Sequence, residues 1–195
     1  MKVKIQKHSY VLHKISRNSN TQFNLIKKNI PMSIFSIISY QFFKKMIKKK
    51  IINLFVIKNK KKISCIITVV TPNDIIKLKF YICFFFLKNP LIFFLNVPTI
   101  FKSLTRGSNA SHGNTFLHLL HLVVFKNTFK NLSLKRKDLI INFFFKTIVR
   151  IFNAKTLFLC YENSNLKAHK FYLRNKFKIF DKKKNIFFLK KNFGK

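Results

Sequence analysis

Apolar runs of strand length alternate with lysine-rich polar stretches in the middle of the chain. Ile51–Ile57 and Ile63–Val70 are rich in β-branched residues, and the polar stretch Lys58–Lys62 separates them. β-Branched residues favour extended backbone, and a short polar link between two such runs is typical of a hairpin. A further apolar run follows at Phe116–Phe125. The pattern predicts a hairpin and a third strand later in the chain.

The C-terminal third has a helical pattern. Within Asp138–Phe152, apolar side chains recur at spacings of three and four, and polar side chains recur four apart on the opposite side. These spacings predict an amphipathic helix. Thr156–Tyr161 is an apolar run of strand length, and Asn163–Asn165 supplies side-chain oxygens that can cap a second helix, which runs through Tyr172.

The chain closes with a second predicted hairpin. Its strands are Phe177–Phe180 and Ile186–Lys190, and Asp181–Asn185 forms the polar turn between them. From residue 51 onward the predicted order is strand, strand, strand, helix, strand, helix, strand, strand. A strand–helix–strand unit combined with hairpins predicts an α/β fold in which helices flank a mixed, twisted sheet.

The length and composition favour a single domain over residues 1–195. The chain is 48% hydrophobic, which is enough apolar material for one buried core. Residues 1–50 are poorly assigned, although Leu25–Tyr40 is compatible with two short helices broken at Pro31. Residues 71–113 are expected to form an insertion or a long loop.

One stretch has the length of a membrane span. Phe80–Phe101 contains a single charged residue, Lys88. However, Pro90 at its centre and Pro98 near its end favour a turn between two short buried strands. We therefore do not expect a membrane-bound protein, and a small membrane protein with a span near residues 80–101 stays open as an alternative.

The charge balance is strongly basic, with 40 Lys and Arg against 4 Asp and Glu and a formal net charge of +36. An AT-rich genome enriches Lys, Asn, Ile and Phe in all its proteins, so the charge alone is a weak indicator of function. A surface this basic nevertheless attracts RNA, ribosomes and phosphorylated ligands. A basic RNA-binding or ribosome-associated structural protein is therefore an alternative function.

Metal chemistry and paired-acid hydrolysis have little support in the sequence. His112, His118 and His121 lie near one another but lack cysteine or carboxylate ligands, so no metal site is expected. Only four carboxylates are available for acid–base work. The three cysteines, Cys65, Cys83 and Cys160, are isolated in the sequence. Because they form no disulfide framework and no export segment is evident at the N-terminus, we expect a cytoplasmic protein.

The segment Phe152–Phe177 combines a strand with a helix that carries Asn165, Ala168 and Tyr172 at defined spacings. Together with the element order, this segment resembles the GNAT superfamily of N-acetyltransferases, and within it the catalytic subunits of the N-terminal acetyltransferase A complexes. The resemblance implies a GNAT-like fold, acetyl-CoA as cofactor and acetyl transfer to protein N-terminal amines on nascent chains. It also implies an auxiliary scaffold subunit, and the basic surface adds contact with the ribosome or its RNA.

The helix that carries these residues suits a ligand with phosphate or thioester groups. A helix that begins at Asn165 directs its positive end toward such a group, and Ala168 is small enough for a long ligand to pass close to the backbone. The resemblance implies that Tyr172 protonates the departing thiolate. Glu162 is the nearest acid and is a candidate to accept the amine proton through water. The structural alternatives are that Asn165 is only a cap, that Tyr172 is only a core aromatic residue and that Glu162 has a structural role.

The family binds the cofactor pyrophosphate on a basic loop that contains glycine. The corresponding stretch of this chain, Leu132–Asp138, has no glycine. Three basic side chains in it are expected to hold the phosphates in place of the missing backbone cradle. A solvated loop is the alternative. These side chains belong to Lys135, Arg136 and Lys137.

Overall fold

The computed structural model describes residues 2–5, 8–15, 20–30, 37–60, 62–105, 116–130 and 132–194. The strands are β1 (Lys2–Ile5), β2 (His8–Ile15), β3 (Asn53–Asn59), β4 (Lys62–Val70), β5 (Phe116–Val124), β6 (Thr156–Glu162), β7 (Lys178–Lys183) and β8 (Ile186–Asn192). The α-helices are α1 (Asn20–Asn29), α2 (Tyr40–Lys48), α3 (Pro72–Leu87), α4 (Pro90–Thr105), α5 (Leu134–Ile151) and α6 (Leu166–Arg174). A 3₁₀ helix spans Lys126–Phe129.

All eight strands belong to one sheet, in the order β1-β2-β3-β4-β5-β6-β8-β7. Neighbouring strands are antiparallel except for β5 and β6, which are parallel. The helix α5 connects these two strands, as a parallel pair requires a crossover. The predicted mixed sheet flanked by helices is thereby confirmed.

The two faces of the sheet carry separate apolar cores. On one face, α5 and α6 pack over the strands through Ile140, Phe144 and Tyr172. On the other face, α1, α2 and α3 contribute Phe23, Phe43 and Leu78. Because both faces are covered, the central strands β3 and β4 are continuous apolar runs and do not alternate apolar with polar residues.

The predicted pair of buried strands within Phe80–Phe101 is wrong, because this stretch lies in α3 and α4. Proline begins both helices, at Pro72 and Pro90, where its missing N–H and fixed φ are tolerated. The buried residues of α3 recur at helical spacing, at Leu78, Ile82, Phe85 and Phe86. Pro90, predicted to lie in a turn between two strands, therefore begins a helix, and Pro98 lies within α4, two residues after a kink at Asn96.

Across the described residues, no single helix is both long enough and apolar enough to cross a membrane. Helix α3 and the segment Pro90–Val97 reach that length and hydropathy only together, and they are bent by 112° relative to each other.

The described part of the N-terminal fifty residues includes the strands β1 and β2 and the helices α1 and α2. The first helix predicted within Leu25–Tyr40 corresponds to α1, which begins earlier, at Asn20, and ends at Asn29, whereas most of the predicted second helix lies outside the described residues. Ser39 caps α2, because its hydroxyl accepts a hydrogen bond from the Phe42 N–H. Pro31 lies outside the described residues.

Candidate functional site

The parallel strands β5 and β6 separate shortly after they begin. Their pairing is limited to Phe116 with Thr156, Leu117 with Leu157 and His118 with Phe158, although both strands continue beyond these residues. The outer edges of the two strands are occupied by β4 and β8. The facing edges therefore border a gap in the sheet, where backbone N–H and C=O groups are available to an extended ligand that carries amides.

A β-bulge in β5 accounts for this separation. Val69 pairs with Leu119 and Thr68 pairs with His121, which leaves Leu120 as an extra residue on β5. A bulge bends the strand and increases its local twist. Since Leu120 lies two positions after the last residue that pairs with β6, the bend turns β5 away from β6 at the place where the gap opens.

Two helices begin at the carboxyl ends of the separated strands. α5 follows β5, and α6 follows β6 after the turn at Asn163 and Ser164. The carboxyl ends of parallel neighbours lie at one edge of a sheet, so both helix N-termini lie at the edge toward which the gap opens. Helix N-termini carry unpaired N–H groups and partial positive charge, which favour phosphate and other anionic groups.

The basic residues expected in a phosphate loop lie in the first turn of α5. Ser133 is the N-cap, and its hydroxyl accepts a hydrogen bond from the Arg136 N–H at 3.4 Å. The predicted loop is therefore shorter, and its basic residues belong to the helix. Leu, Lys and Arg are good helix formers, and the serine before them caps the helix. Lys135 and Arg136 are exposed and Lys137 is half-buried, and no acidic residue lies in this turn.

Asn165 caps α6, as its sequence position predicts. Its Oδ1 accepts a hydrogen bond from the Ala168 N–H at 3.0 Å. Ala168 is half-buried and packs against the core between the sheet and this helix. The Leu166 N–H donates to the Ser164 carbonyl at 3.0 Å, so the Lys167 N–H is the group of the first turn that these bonds leave directed out of the helix.

Tyr172 lies one turn after Ala168 on the same face of α6. Its ring is buried, stacks on the Tyr161 ring at 5.7 Å between centroids, and meets the Phe177 ring edge-on at 5.2 Å. Burial raises the pKa of the Tyr172 phenol well above its ordinary value of 10.0. The phenol therefore stays protonated near neutral pH, which is the state that a proton donor requires.

Tyr161 is a site residue that the sequence analysis did not single out. It lies in the part of β6 beyond the paired segment, and its hydroxyl is 2.7 Å from Nδ1 of His169 on α6. Alternation along β6 places it on the same face as Leu157 and Leu159, toward α6. That alternation was visible in the sequence, but the contact with His169 was not.

Glu162 and Tyr172 lie on opposite sides of the sheet. Glu162 follows Tyr161 directly and is half-buried, and the alternation of β6 directs it away from the face that α6 covers. The structure therefore does not bring the predicted proton donor, Tyr172, and the predicted proton acceptor, Glu162, together on one face. They flank the gap from its two sides.

His118 lies on the face of the sheet away from α6. It is the last residue of β5 that pairs with β6, and its ring stacks on Phe158 at 5.8 Å between centroids. Its Nε2 is buried and has no hydrogen-bond partner among the described residues. Burial, assisted by the nearby Lys79, lowers the pKa of His118 to about 4, so the ring is neutral at physiological pH.

The structure gives no support to a metal centre within its described residues, where no group of three His, Cys, Asp or Glu side chains is placed to hold an ion. His112 lies outside these residues. His121 is buried, and burial lowers its pKa to about 3. The two described histidines of the predicted cluster are thus neutral strand residues.

A polar network, also absent from the sequence analysis, joins α5, α6 and β8. Asp138 of α5 is buried and accepts hydrogen bonds from Arg174 at the end of α6. Asn142 donates to the side-chain oxygen of Asn175, and Lys191 of β8 donates to the Asn142 side chain and to the Asn175 carbonyl. The network therefore fixes the end of the helix that carries Tyr172.

No protein-family model and no curated protein sequence matches the chain. Solved structures do share its fold. A GNAT-family acetyltransferase from Listeria monocytogenes superposes with a TM-score of 0.58 at 12% identity, over 98% of this chain and 99% of that one. The Campylobacter jejuni N-acetyltransferase PseH in complex with acetyl coenzyme A gives 0.55 at 15% identity, over 95% and 99%. Arabidopsis thaliana NAA60 in complex with acetyl-CoA gives 0.55 at 12%, over 94% and 98%.

At these identities the likeness is one of fold. It extends over nearly the whole of this chain and of each of these solved structures. The chain therefore has the fold of the GNAT acetyltransferases.

Proposed function

We propose that the protein transfers the acetyl group of acetyl-CoA to an amine, and that the acceptor is the α-amine of a protein N-terminus. The observation that carries the proposal is the gap between β5 and β6, with the N-termini of α5 and α6 at the edge toward which it opens. The acetyl-CoA complexes of PseH and NAA60, which share this fold, support the choice of cofactor.

The residues around the gap fit the parts of acetyl-CoA. The facing strand edges offer backbone partners to the amides of its pantetheine arm. The basic first turn of α5 offers Lys135, Arg136 and Lys137 to its phosphates, together with the N–H groups of the helix start. The first turn of α6, with Asn165 as cap and the small Ala168, would lie against the arm. In this proposal basic side chains replace the glycine cradle that the family resemblance implies.

Bound acetyl-CoA would supply an acetyl group activated as a thioester. Tyr172 holds a proton on a phenol whose pKa is raised by burial, and we assign it the role of proton donor to the leaving sulfur. On the opposite side of the sheet, Glu162 is the candidate to accept the proton of the attacking amine through water. Because the proton donor and the proton acceptor lie on opposite faces of the sheet, each can approach a thioester bound in the gap from its own side.

The choice of acceptor rests on the family resemblance and on charge. Asn165, Ala168 and Tyr172 resemble the pattern of N-terminal acetyltransferase subunits. A net charge of +36 disfavours polycationic acceptors and favours neutral or acidic peptides. The same charge suits a location beside the ribosome, and an auxiliary scaffold subunit belongs to this proposal. Cys65, Cys83 and Cys160, all within the described residues, form no disulfide, which agrees with a reducing, cytoplasmic compartment.

Calorimetric titration separates this function from that of a basic RNA-binding protein. At moderate salt we expect saturable binding of acetyl-CoA with one site per chain, and weaker binding of dephospho-derivatives that lack part of the charge. If no saturable acetyl-CoA binding occurs while RNA binds with a steep dependence on salt, the acetyltransferase proposal fails and the structural RNA-binding alternative takes its place.

A further inference from the structure

Helices α3 and α4 expose a continuous series of large apolar side chains, which we call the apolar ridge. Their exposed fractions run from 52% for Phe84 to 80% for Leu87. On α3 they recur at spacings of three and four, and they continue past the turn onto the start of α4. Folded proteins rarely leave such a surface in water without a partner. The apolar ridge consists of Ile76, Phe80, Phe84, Leu87, Leu91, Phe94 and Leu95.

The opposite side of α3 anchors the ridge on the protein. Leu78, Ile82 and Phe85 are buried in the core between α3, α2 and the sheet. The turn into α4 is also fixed, since Asn89 donates a side-chain hydrogen bond to the Phe85 carbonyl at 2.7 Å. The helices therefore cannot turn the ridge inward without losing this core, and the ridge faces outward as part of the fold.

Positive charge borders the apolar ridge. Lys88 is exposed, and its Nζ lies 4.8 Å from the centroid of the Phe84 ring, whereas the exposed Lys77 pairs with Asp74 at 3.0 Å. Lys49, at the end of the basic helix α2, lies over Tyr81 of α3 at 5.2 Å. Between residues 40 and 97, Asp74 is the only acidic residue in the sequence. The ridge thus combines an apolar centre with a cationic rim.

The apolar centre and the cationic rim together indicate which kind of partner the ridge binds. A second copy of the chain would bring another net charge of +36 against a cationic rim, so self-association is electrostatically opposed. A bilayer with anionic lipids offers an apolar layer to the ridge and negative headgroups to the lysines. We propose that the apolar ridge docks the protein on the surface of an anionic membrane, with α3 and the start of α4 lying in the interface and the lysines at the headgroups.

This docking does not depend on the proposed catalysis, and vesicle flotation tests it directly. We expect the full chain to float with mixed phosphatidylcholine–phosphatidylserine vesicles and to bind pure phosphatidylcholine vesicles less well. The double variant Phe80→Glu/Phe94→Glu should lower the partition coefficient by about a hundredfold or more. The matched control is Leu139→Glu/Ile151→Glu, which places the same two charges at exposed apolar positions of α5 and should retain binding.

A fluorescence measurement covers the case in which the double variant misfolds. The chain contains no tryptophan, so Phe80→Trp introduces a single reporter on the ridge and Ile151→Trp introduces one on α5. On addition of anionic vesicles, the first should shift to the blue and be quenched by brominated lipid, whereas the second should not.

Three outcomes would overturn the proposal. One is that the unmodified chain does not float with anionic vesicles. Another is an equal loss of binding in both double variants, which would show that charge alone holds the protein. The third is a concentration-dependent dimer in sedimentation that Phe80→Glu/Phe94→Glu abolishes while vesicle binding is absent, because the ridge would then be an interface between copies.

Discussion

The Tyr161 ring lies on the Tyr172 ring with centroids 5.7 Å apart and planes inclined by 22°. Tyr161 belongs to the part of β6 that borders the gap, and Tyr172 belongs to the inner face of α6. The Tyr161 hydroxyl also makes a 2.7 Å hydrogen bond with Nδ1 of His169, which precedes Tyr172 by about one turn of α6. Packing on the strand edge therefore fixes the position of the phenol that we propose as proton donor.

Replacement of Tyr172 by phenylalanine separates its chemical role from its packing role. Tyr172→Phe keeps the stacked ring but removes the proton, so kcat should fall by about 10²-fold or more while the Kd for acetyl-CoA changes little. Tyr161→Phe is the control, because it removes a hydroxyl from the same stack without removing the proposed donor. Steady-state kinetics combined with calorimetry would check this, and a fully active Tyr172→Phe protein would leave Tyr172 as a core residue.

Neutralisation of the first turn of α5 should act on binding. If Lys135, Arg136 and Lys137 hold the phosphates, the triple change to glutamine should raise the Kd for acetyl-CoA at least about tenfold, even after solvent screening of exposed contacts. A matched control changes the exposed Lys182, Lys183 and Lys184 at the β7–β8 turn to glutamine, with the same loss of charge. Titrations at one ionic strength give both values. Similar affinities for the two triple variants would contradict the assignment.

The ion pair between Asp138 of α5 and Arg174 of α6 should contribute to the free energy of unfolding. Asp138→Asn removes the charge that Arg174 meets in a largely buried site, and it should lower the free energy of unfolding by about 1–2 kcal/mol, or Tm by roughly 3–6 °C. Asp74→Asn provides the comparison, since it removes a pair with the exposed Lys77 while an asparagine oxygen can still accept the hydrogen bond from the Thr71 hydroxyl. Thermal unfolding of both variants checks the difference, and equal losses would argue against the network.

Two buried histidines should make the fold sensitive to acid. The pKa of His118 is lowered to about 4 and that of His121 to about 3, from an ordinary 6.5, so the unfolded chain binds these protons more readily than the folded one. Their contribution to stability is present above pH 6.5 and is lost as pH falls toward 4, by on the order of 3 kcal/mol for each fully buried ring.

Replacement of His118 by asparagine should therefore make the loss of stability between pH 6.5 and 4 smaller. His13→Asn, the same substitution at an exposed position, provides the matched control. Only four carboxylates are available to contribute to acid unfolding, so the histidine effect should be visible. Denaturant unfolding across this pH range measures it, and identical slopes for the two variants would refute the burial argument.

Elements with a strong local pattern were predictable from the sequence. The hairpin within Ile51–Val70, the helix within Asp138–Phe152 and the cap at Asn165 each follow from a few neighbouring residues, and the structure confirms all three. The prediction for residues 80–101 was wrong because a run of almost entirely apolar residues shows no periodic pattern of apolar and polar positions. Proline was then the main local signal, and it is compatible with a helix start as well as with a turn between strands.

The geometry of the site was not predictable, because it depends on contacts between distant segments. The ion pair of Asp138 with Arg174 spans 36 positions of the chain, and the gap depends on a bulge at Leu120 whose register is set by β4. The side-by-side placement of Tyr161 and His169 also requires the fold. Sequence patterns placed Tyr172 on its helix, but only the structure shows what its ring packs against.

Acetyl transfer to a defined amine tests the central claim most directly. The purified chain is incubated with acetyl-CoA and two peptides of one sequence with an internal lysine, of which one has a free α-amine and the other a blocked one, and the products are located by mass spectrometry. We expect an added acetyl group on the α-amine of the first peptide only. No product on either peptide, while acetyl-CoA itself binds saturably, would contradict acetyl transfer to N-terminal amines, and modification of the lysine in both peptides would contradict the proposed acceptor.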